Sequence, residues 1–210
     1  MAGKKRVAII KRKTSETEIS GKLCIDGSGK ADVKTGIGFL DHMLTLFAFR
    51  GFFDLTLKAK GDLEVDTHHT NEDIAICLGK AFKDALTDYK GIKRSGFAEI
   101  PMDMARAKVS IDIGGRYAYS GLKFSTATVQ PNLSSISIES GEKKYSLADG
   151  SDFLESFAKH SLINLHVEIC SGDDAHHILE AVFKAFGAAM DQATQIDDRR
   201  KGVPSTKGVI

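Results

Sequence analysis

Two stretches of the chain repeat one pattern. "DTHHTNEDIAICLGKAF", Asp66 to Phe82, and "DDAHHILEAVFKAF", Asp173 to Phe186, each set His-His-x-x-Glu at the head of an apolar stripe with helical spacing. In the first, Ile74, Cys77, Leu78, Ala81, Phe82 and Ala85 form the stripe from Thr70, and Gly91 in "DYKG" offers a C-terminal stop. In the second, the helix is predicted from Ala175 to about Thr194. A Gly-Lys-Ala-Phe segment (Gly79 to Phe82) is echoed by Phe183 to Phe186, four residues closer to its own histidines. Recurrence of this kind predicts a duplicated chain.

The flanking segments follow the same order. "TEISGKLCID" (Thr17 to Asp26) and "FFDLTLKAK" (Phe52 to Lys60) alternate as strands around a helix at "GFLDHMLTLFAFR", Gly38 to Arg50. After a joint at "YKGIKRSG" come the strands "GFAEIPMD", "AKVSIDI" and "RYAYSGLKF", a helix from about Ser151 to His160, the strand "INLHVEIC" and the second histidine helix. The expected fold class is α+β, internally duplicated. Its divisions are a first half-repeat at residues 1–92, a second at 93–195, and a non-helical tail at 196–210. Pro, Gly and Ser mark Thr128 to Lys144 as a long loop or hairpin.

Composition sets the remaining bounds. With 210 residues, 42% of them hydrophobic, the chain can bury a core without staples. Twenty-nine basic and 28 acidic side chains leave a net charge of +1, so no overall field points to nucleic acid or an anionic membrane, and any anion must meet a local cluster. No stretch approaches a membrane span, and Val7 to Ile10 is too short for a signal-peptide core, so a cytoplasmic location is expected. Cys24, Cys77 and Cys170 are odd in number, scattered and set among apolar residues, which suits buried free thiols.

On a helix, residues four apart share a face, so His68 and Glu72 can address one ion, as can His176 and Glu180. Their neighbours His69 and His177 are turned by about 100° and must address something else. Imidazole plus carboxylate suits Zn, Mn or Fe, and the lack of thiolates disfavours a closed structural zinc site. One such pair alone reads as a partly exposed helix end; two at equivalent places of a repeat read as metal ligands. With His42 in "FLDHML", five of the seven histidines fall in these motifs. His160 and His166 read as ordinary, and no His-Glu-x-x-His peptidase motif is present.

"TGIGFLDHML", "KGDLEVDTHHTNEDIAICLGKAF", "DDAHHILEAVFKAF" and the tail "PSTKG" together resemble the imidazoleglycerol-phosphate dehydratases of histidine biosynthesis, in order over nearly the whole chain. The resemblance implies a duplicated α+β fold of the ribosomal protein S5 domain 2-like kind, each half a four-stranded sheet packed with two helices. It also implies a shell of 24 identical subunits held by manganese, with two Mn2+ per active site formed between subunits. The implied metal ligands are His42, His68, His69, Glu72, His176, His177 and Glu180, with Asp152 as an eighth at a position that usually carries His; Asp152 also stands where it could cap a helix. The implied substrate contacts are Glu16, Arg94, Arg116, Lys184, Ser205, Thr206 and Lys207, the cations and tail serving the phosphate.

The implied reaction is loss of water from D-erythro-imidazole glycerol phosphate to give imidazole acetol phosphate. The proton leaves a carbon with no adjacent carbonyl, so electrons would pass through the imidazole ring, expelling hydroxyl to a diazafulvene-like species and then an enol. Glu16, Glu72 and Glu180 are the candidate catalytic carboxylates. Departures from the family pattern are Thr45 and Leu46 for Asp-Gln, Arg50 for His, Met104 for Glu, and a longer segment between Arg116 and Asp152. Two alternatives use the same residues: a dinuclear hydrolase of a phosphate ester, and a metal-assembled shell without catalysis.

Overall fold

The computed structural model describes residues 5–125, 137–140 and 143–210. Strands β1 (Val7–Lys13), β2 (Thr17–Cys24), β3 (Ala31–Lys34) and β4 (Asp54–Gly61) form one sheet in the order β1-β2-β4-β3. Strands β5 (Ser95–Met102), β6 (Ala105–Asp112), β7 (Ala118–Phe124) and β10 (Asn164–Ser171) form a second, in the order β5-β6-β10-β7. In each sheet two antiparallel pairings are followed by one parallel pairing, β3 with β4 and β7 with β10. A parallel pair needs a crossover, and a helix supplies it in both halves: α1 (Gly38–Arg50) and α3 (Leu147–Ser161). The histidine helices α2 (His68–Leu86) and α4 (Ala175–Thr194) follow the sheets' last strands. Two equal sheets with two helices each confirm the duplicated α+β class.

The second half differs by a hairpin, β8 (Ser137–Ser140) with β9 (Lys143–Ser146), set between β7 and α3. It occupies the end of the predicted Thr128–Lys144 loop or hairpin; residues 128–136 and 141–142 of that prediction lie outside the described residues. Tyr145 of β9 is fully buried; its hydroxyl donates to Asn71 Oδ1 at 2.9 Å, and its ring lies 5.3 Å from that of Phe39.

The helices pack across the halves, α1 against α4 and α2 against α3. At their meeting point Phe47, Phe82, Phe157 and Phe186 are buried ring against ring, with Phe47 stacked on Phe186 at 4.7 Å and Phe82 edge-on to Phe157 at 5.4 Å. Each such ring contributes about 1.5–3 kcal/mol by burial. Glycine permits the close approach: a Cβ on Gly79 would stand 2.6 Å from the Phe157 carbonyl oxygen, and one on Gly187 would stand 2.4 Å from that of Phe47. Both glycines follow the first histidine of their pair by eleven residues, which fixes the register of the repeat. In that register Lys184 corresponds to Ile76, so the Lys-Ala-Phe echo is one helical turn out of step and the two lysines are not equivalents.

Several boundaries depart from the sequence reading, three of them with a local cause or consequence. Helix α2 ends at Leu86, where the buried stripe ends, with Thr87 already at φ 55°; Gly91 lies in the joint, its amide bonded to the Gly202 carbonyl. Strand β7 begins at Ala118, after Arg116 and Tyr117. Helix α3 starts a turn early, at Leu147, because Ser146 and Asp149 close a capping box; Asp152 is therefore inside the helix and is not its cap. Ser146→Ala is expected to cost about 1 kcal/mol, read as a Tm lower by about 2–4 °C in thermal denaturation. The three cysteines are free and buried; burial pushes the Cys77 thiol up to about 11.

Candidate metal and substrate site

The packing of α1 on α4 brings His42, His176 and Glu180 together from positions 134 residues apart in sequence. One ligand atom from each lies within 4.8 Å of the others. Glu180 Oε1 is 3.0 Å from Nε2 of both histidines, and its other oxygen accepts from Lys184 Nζ at 2.5 Å. Burial alone would push the Glu180 carboxyl up, but the Lys184 ammonium and the two imidazoles outweigh it and bring it down to about 2. Lys184 also reaches Met102 Sδ at 3.0 Å, so its ammonium lies in this cluster rather than with the other candidate phosphate cations.

The packing of α2 on α3 repeats the arrangement. His68 Nδ1 is 3.7 Å from Asp152 Oδ2, and Glu72, one turn along from His68, lies 3.5 Å from Ser156 Oγ. Asp152 takes the place opposite α2 that His42 takes opposite α4. Burial pushes its carboxyl up, with His68 opposing and Asp149, Glu155 and Glu72 adding to it.

The second histidines take partners different from those of the first, although the rings of each pair stand edge-on with centroids 6.4 Å apart for His68 and His69 and 6.0 Å for His176 and His177. His69 Nδ1 is 3.0 Å from Asp62 Oδ2 and 4.0 Å from Glu16 Oε2. The hydrogen bond to Asp62 holds the imidazole above its ordinary pKa. His177 Nε2 is 3.6 Å from Asp103 Oδ2, and its backbone amide donates to Asp174, the cap of α4. Glu16 and Asp103 both sit in hairpin turns, β1–β2 and β5–β6, so each half turns an acidic residue toward its second histidine.

Arg94, Arg116, Ser205, Thr206 and Lys207 line one surface cavity of about 350 Å³ at the edge of the second sheet. Arg94 spends its Nε and one Nη on Asp112, at 2.7 and 3.0 Å, and its other Nη on the Pro204 carbonyl at 2.9 Å, which ties the tail to the sheet. The tail then turns back, with the Gly208 amide on the Ser205 carbonyl at 3.0 Å. Arg116 and Lys207 project exposed at the cavity rim, a charge arrangement suited to an anion. The remaining histidines behave as ordinary residues: His166 is exposed on β10, and His160 bonds the Ser156 carbonyl at 2.8 Å.

Asp62, Asp73 and Asp103 escaped the sequence reading. Asp62 and Asp103 lie outside the helices, where helical spacing carries no information, and Asp73 is masked by its neighbour Glu72. A carboxylate within seven residues of a histidine pair was the available signal for Asp62.

The site is thus that of a twofold repeated α+β chain whose interhelical seams carry imidazole–carboxylate clusters, a donor set that suits a divalent ion, beside a cavity lined by cations and the tail. The imidazoleglycerol-phosphate dehydratase family model matches residues 35–190. An imidazoleglycerol-phosphate dehydratase of a Thermoanaerobacter species is 50% identical over 206 residues, covering 98% of this chain and all of the relative. That of Methanococcus maripaludis is 51% identical over 201 residues, covering 96% and 97%. The crystal structure of the enzyme from Pyrococcus furiosus, in complex with the compound (S)-C348, superposes with a TM-score of 0.76 at 34% identity, covering 96% of this chain and all of the other. The chain belongs to the imidazoleglycerol-phosphate dehydratase family and is a hydro-lyase of histidine biosynthesis.

Proposed function

We propose that the chain dehydrates D-erythro-imidazole glycerol phosphate to imidazole acetol phosphate in a metal-dependent reaction, with two Mn2+ per active site, in the cytoplasm, as a 24-subunit shell whose active sites form between copies. The observation that carries this reading is the convergence of His42, His176 and Glu180 from two helices of opposite halves. Two imidazole nitrogens and one carboxylate oxygen within 4.8 Å fit a divalent ion of borderline softness, and His68, Glu72 and Asp152 offer a second set of the same chemistry. His69 and His177, which meet Asp62 and Asp103 instead, are left for ions shared with another copy.

A bound divalent ion would supply Lewis acidity to the ring nitrogen and to the diol oxygen. The chain's own residues do the rest. Arg116, Ser205, Thr206 and Lys207 hold the phosphate, with Arg94 fixing the tail that carries three of them. Glu16, half-exposed beside His69, takes the carbon-bound proton in this reading, and Glu180 and Glu72 are assigned as ligands and alternative proton acceptors. Lys184 keeps Glu180 ionised, its ammonium committed to that carboxylate and to the Met102 sulfur.

Two substitutions separate these roles. His69→Ala is expected to lower both the manganese content and the size of the assembly, measured by elemental analysis and size-exclusion light scattering. Lys207→Ala is expected to raise KM about tenfold or more while leaving the assembly intact, the loss of about 1.5–3 kcal/mol of charged hydrogen bonding to the phosphate. Dissolution of the oligomer by Lys207→Ala would make the tail structural.

A further inference from the structure

We propose that Asp73 and Thr17 form a tether that positions Glu16, so that the first half of the repeat, and not the second, carries a fixed acid–base turn. This rests on the reading of Glu16 as the proton-handling residue. Asp73 follows Glu72 on α2 and is only 7% exposed. Its carboxylate accepts from Thr17 Oγ1 at 2.5 Å and from Arg12 Nη2 at 2.7 Å. Arg12 lies at the end of β1 and Thr17 begins β2, so one buried carboxylate grips both strands at the mouth of their hairpin.

Among the described residues, the other hydrogen bonds of the turn between those strands are internal to it. Thr14 Oγ1 accepts from the amides of Glu16 and Thr17 at 3.1 and 2.9 Å, and the Thr14 amide donates to the Thr17 carbonyl at 2.9 Å. Glu16 leaves this closed turn with a side chain 53% exposed and its carboxylate 4.0 Å from His69 Nδ1. Among the described residues its carboxylate has no other polar partner, so its position relative to His69 is inherited from the turn. The tether therefore ties the turn to the same helix that carries His69, and the two groups move as one.

Burying a carboxylate is costly unless it is paired, and Arg12 pairs it here. The second half has the corresponding hairpin, closed by two residues rather than three, but not this cost. Five residues after His68 stands Asp73, whereas five after His176 stands Ala181. The β5–β6 turn accordingly brings Asp103 within 3.6 Å of His177 with a side chain 67% exposed, and α4 offers it no equivalent carboxylate anchor. Duplication gave both halves the turn, and only the half bearing Glu16 carries the anchor.

The test is a double-mutant cycle on the manganese-loaded oligomer, with kcat and KM measured for imidazole glycerol phosphate. Thr17→Val keeps the side-chain shape and removes the hydroxyl; Thr17→Ser keeps the hydroxyl. Thr17→Val is expected to lower kcat about 10–100-fold with metal content unchanged, the scale of losing a group that orients a site residue. Thr17→Ser is expected to restore most of the rate, and Asp73→Asn to behave as Thr17→Val does. In a Glu16→Gln background, Thr17→Val should cost nothing further, because its effect passes through Glu16. An equal loss in both backgrounds, or a Ser variant no better than Val, overturns the tether alone. Full kcat in Glu16→Gln by itself overturns the assignment of Glu16 and the tether with it.

Discussion

Glu180→Gln is expected to reduce turnover by at least about 10²-fold and to lower the bound manganese. Glu180 touches His42, His176 and Lys184 at once, so the amide disturbs three partners. Its carboxylate is 9% exposed and faces an ammonium only 12% exposed, and removing the negative charge strands that ammonium in a nearly dry place. Elemental analysis and steady-state kinetics on the same sample check both effects. The pH dependence follows from the depressed carboxyl. Its folded pKa of about 2 lies below the ordinary 4.5, so in the metal-free chain the stabilisation is full above about 4.5 and is lost as pH falls toward 2. Acid titration of the metal-free wild type should show this loss, and Glu180→Gln should show less of it.

Glu16→Gln is the second large effect, with an expected fall in kcat of about 10²–10⁴-fold, the range for a positioned general acid or base. Metal content and KM should change little, because Glu16 stands 4.0 Å from His69 and outside the His42, His176, Glu180 cluster. This separates it from Glu180, whose replacement reduces activity and metal together. A Glu16→Gln enzyme that lost manganese in proportion to activity would make Glu16 an ion-holding residue.

The helices were legible because their apolar stripes are long and their histidine pairs recur at one offset. Helix α4 runs over Ala175–Thr194 as its periodicity predicts. Strands β1 and β3 were not readable as strands on their own. Val7 and Ile9 of β1 face outward, Ile9 at 72% exposure, so Val7 to Ile10 reads as an undirected apolar run; β3 is four residues long. Helix α3 was read a turn late because Gly150 interrupts its first turn, although Ser146-x-x-Asp149 was present as a start signal.

At the site, helical spacing indicated that the two histidines of each pair would address different groups, and their partners differ: Asp152 and Asp62 for His68 and His69, Glu180 and Asp103 for His176 and His177. Spacing could not place His42 beside Glu180, since that contact depends on α1 crossing to the helix of the other half. Nor could it show Asp62 behind His69, or that Arg94 is engaged with Asp112 and the tail. Those contacts arise from sheet edges and turns, whose partners are chosen by tertiary packing.

The most direct measurement is a dehydration assay on the purified chain, stripped of metal and then reloaded with Mn2+, with ketone and inorganic phosphate followed together. Ketone should form from imidazole glycerol phosphate only after reloading, without phosphate release. Undiminished turnover in the stripped protein, or release of phosphate in place of ketone, would contradict metal-dependent dehydration.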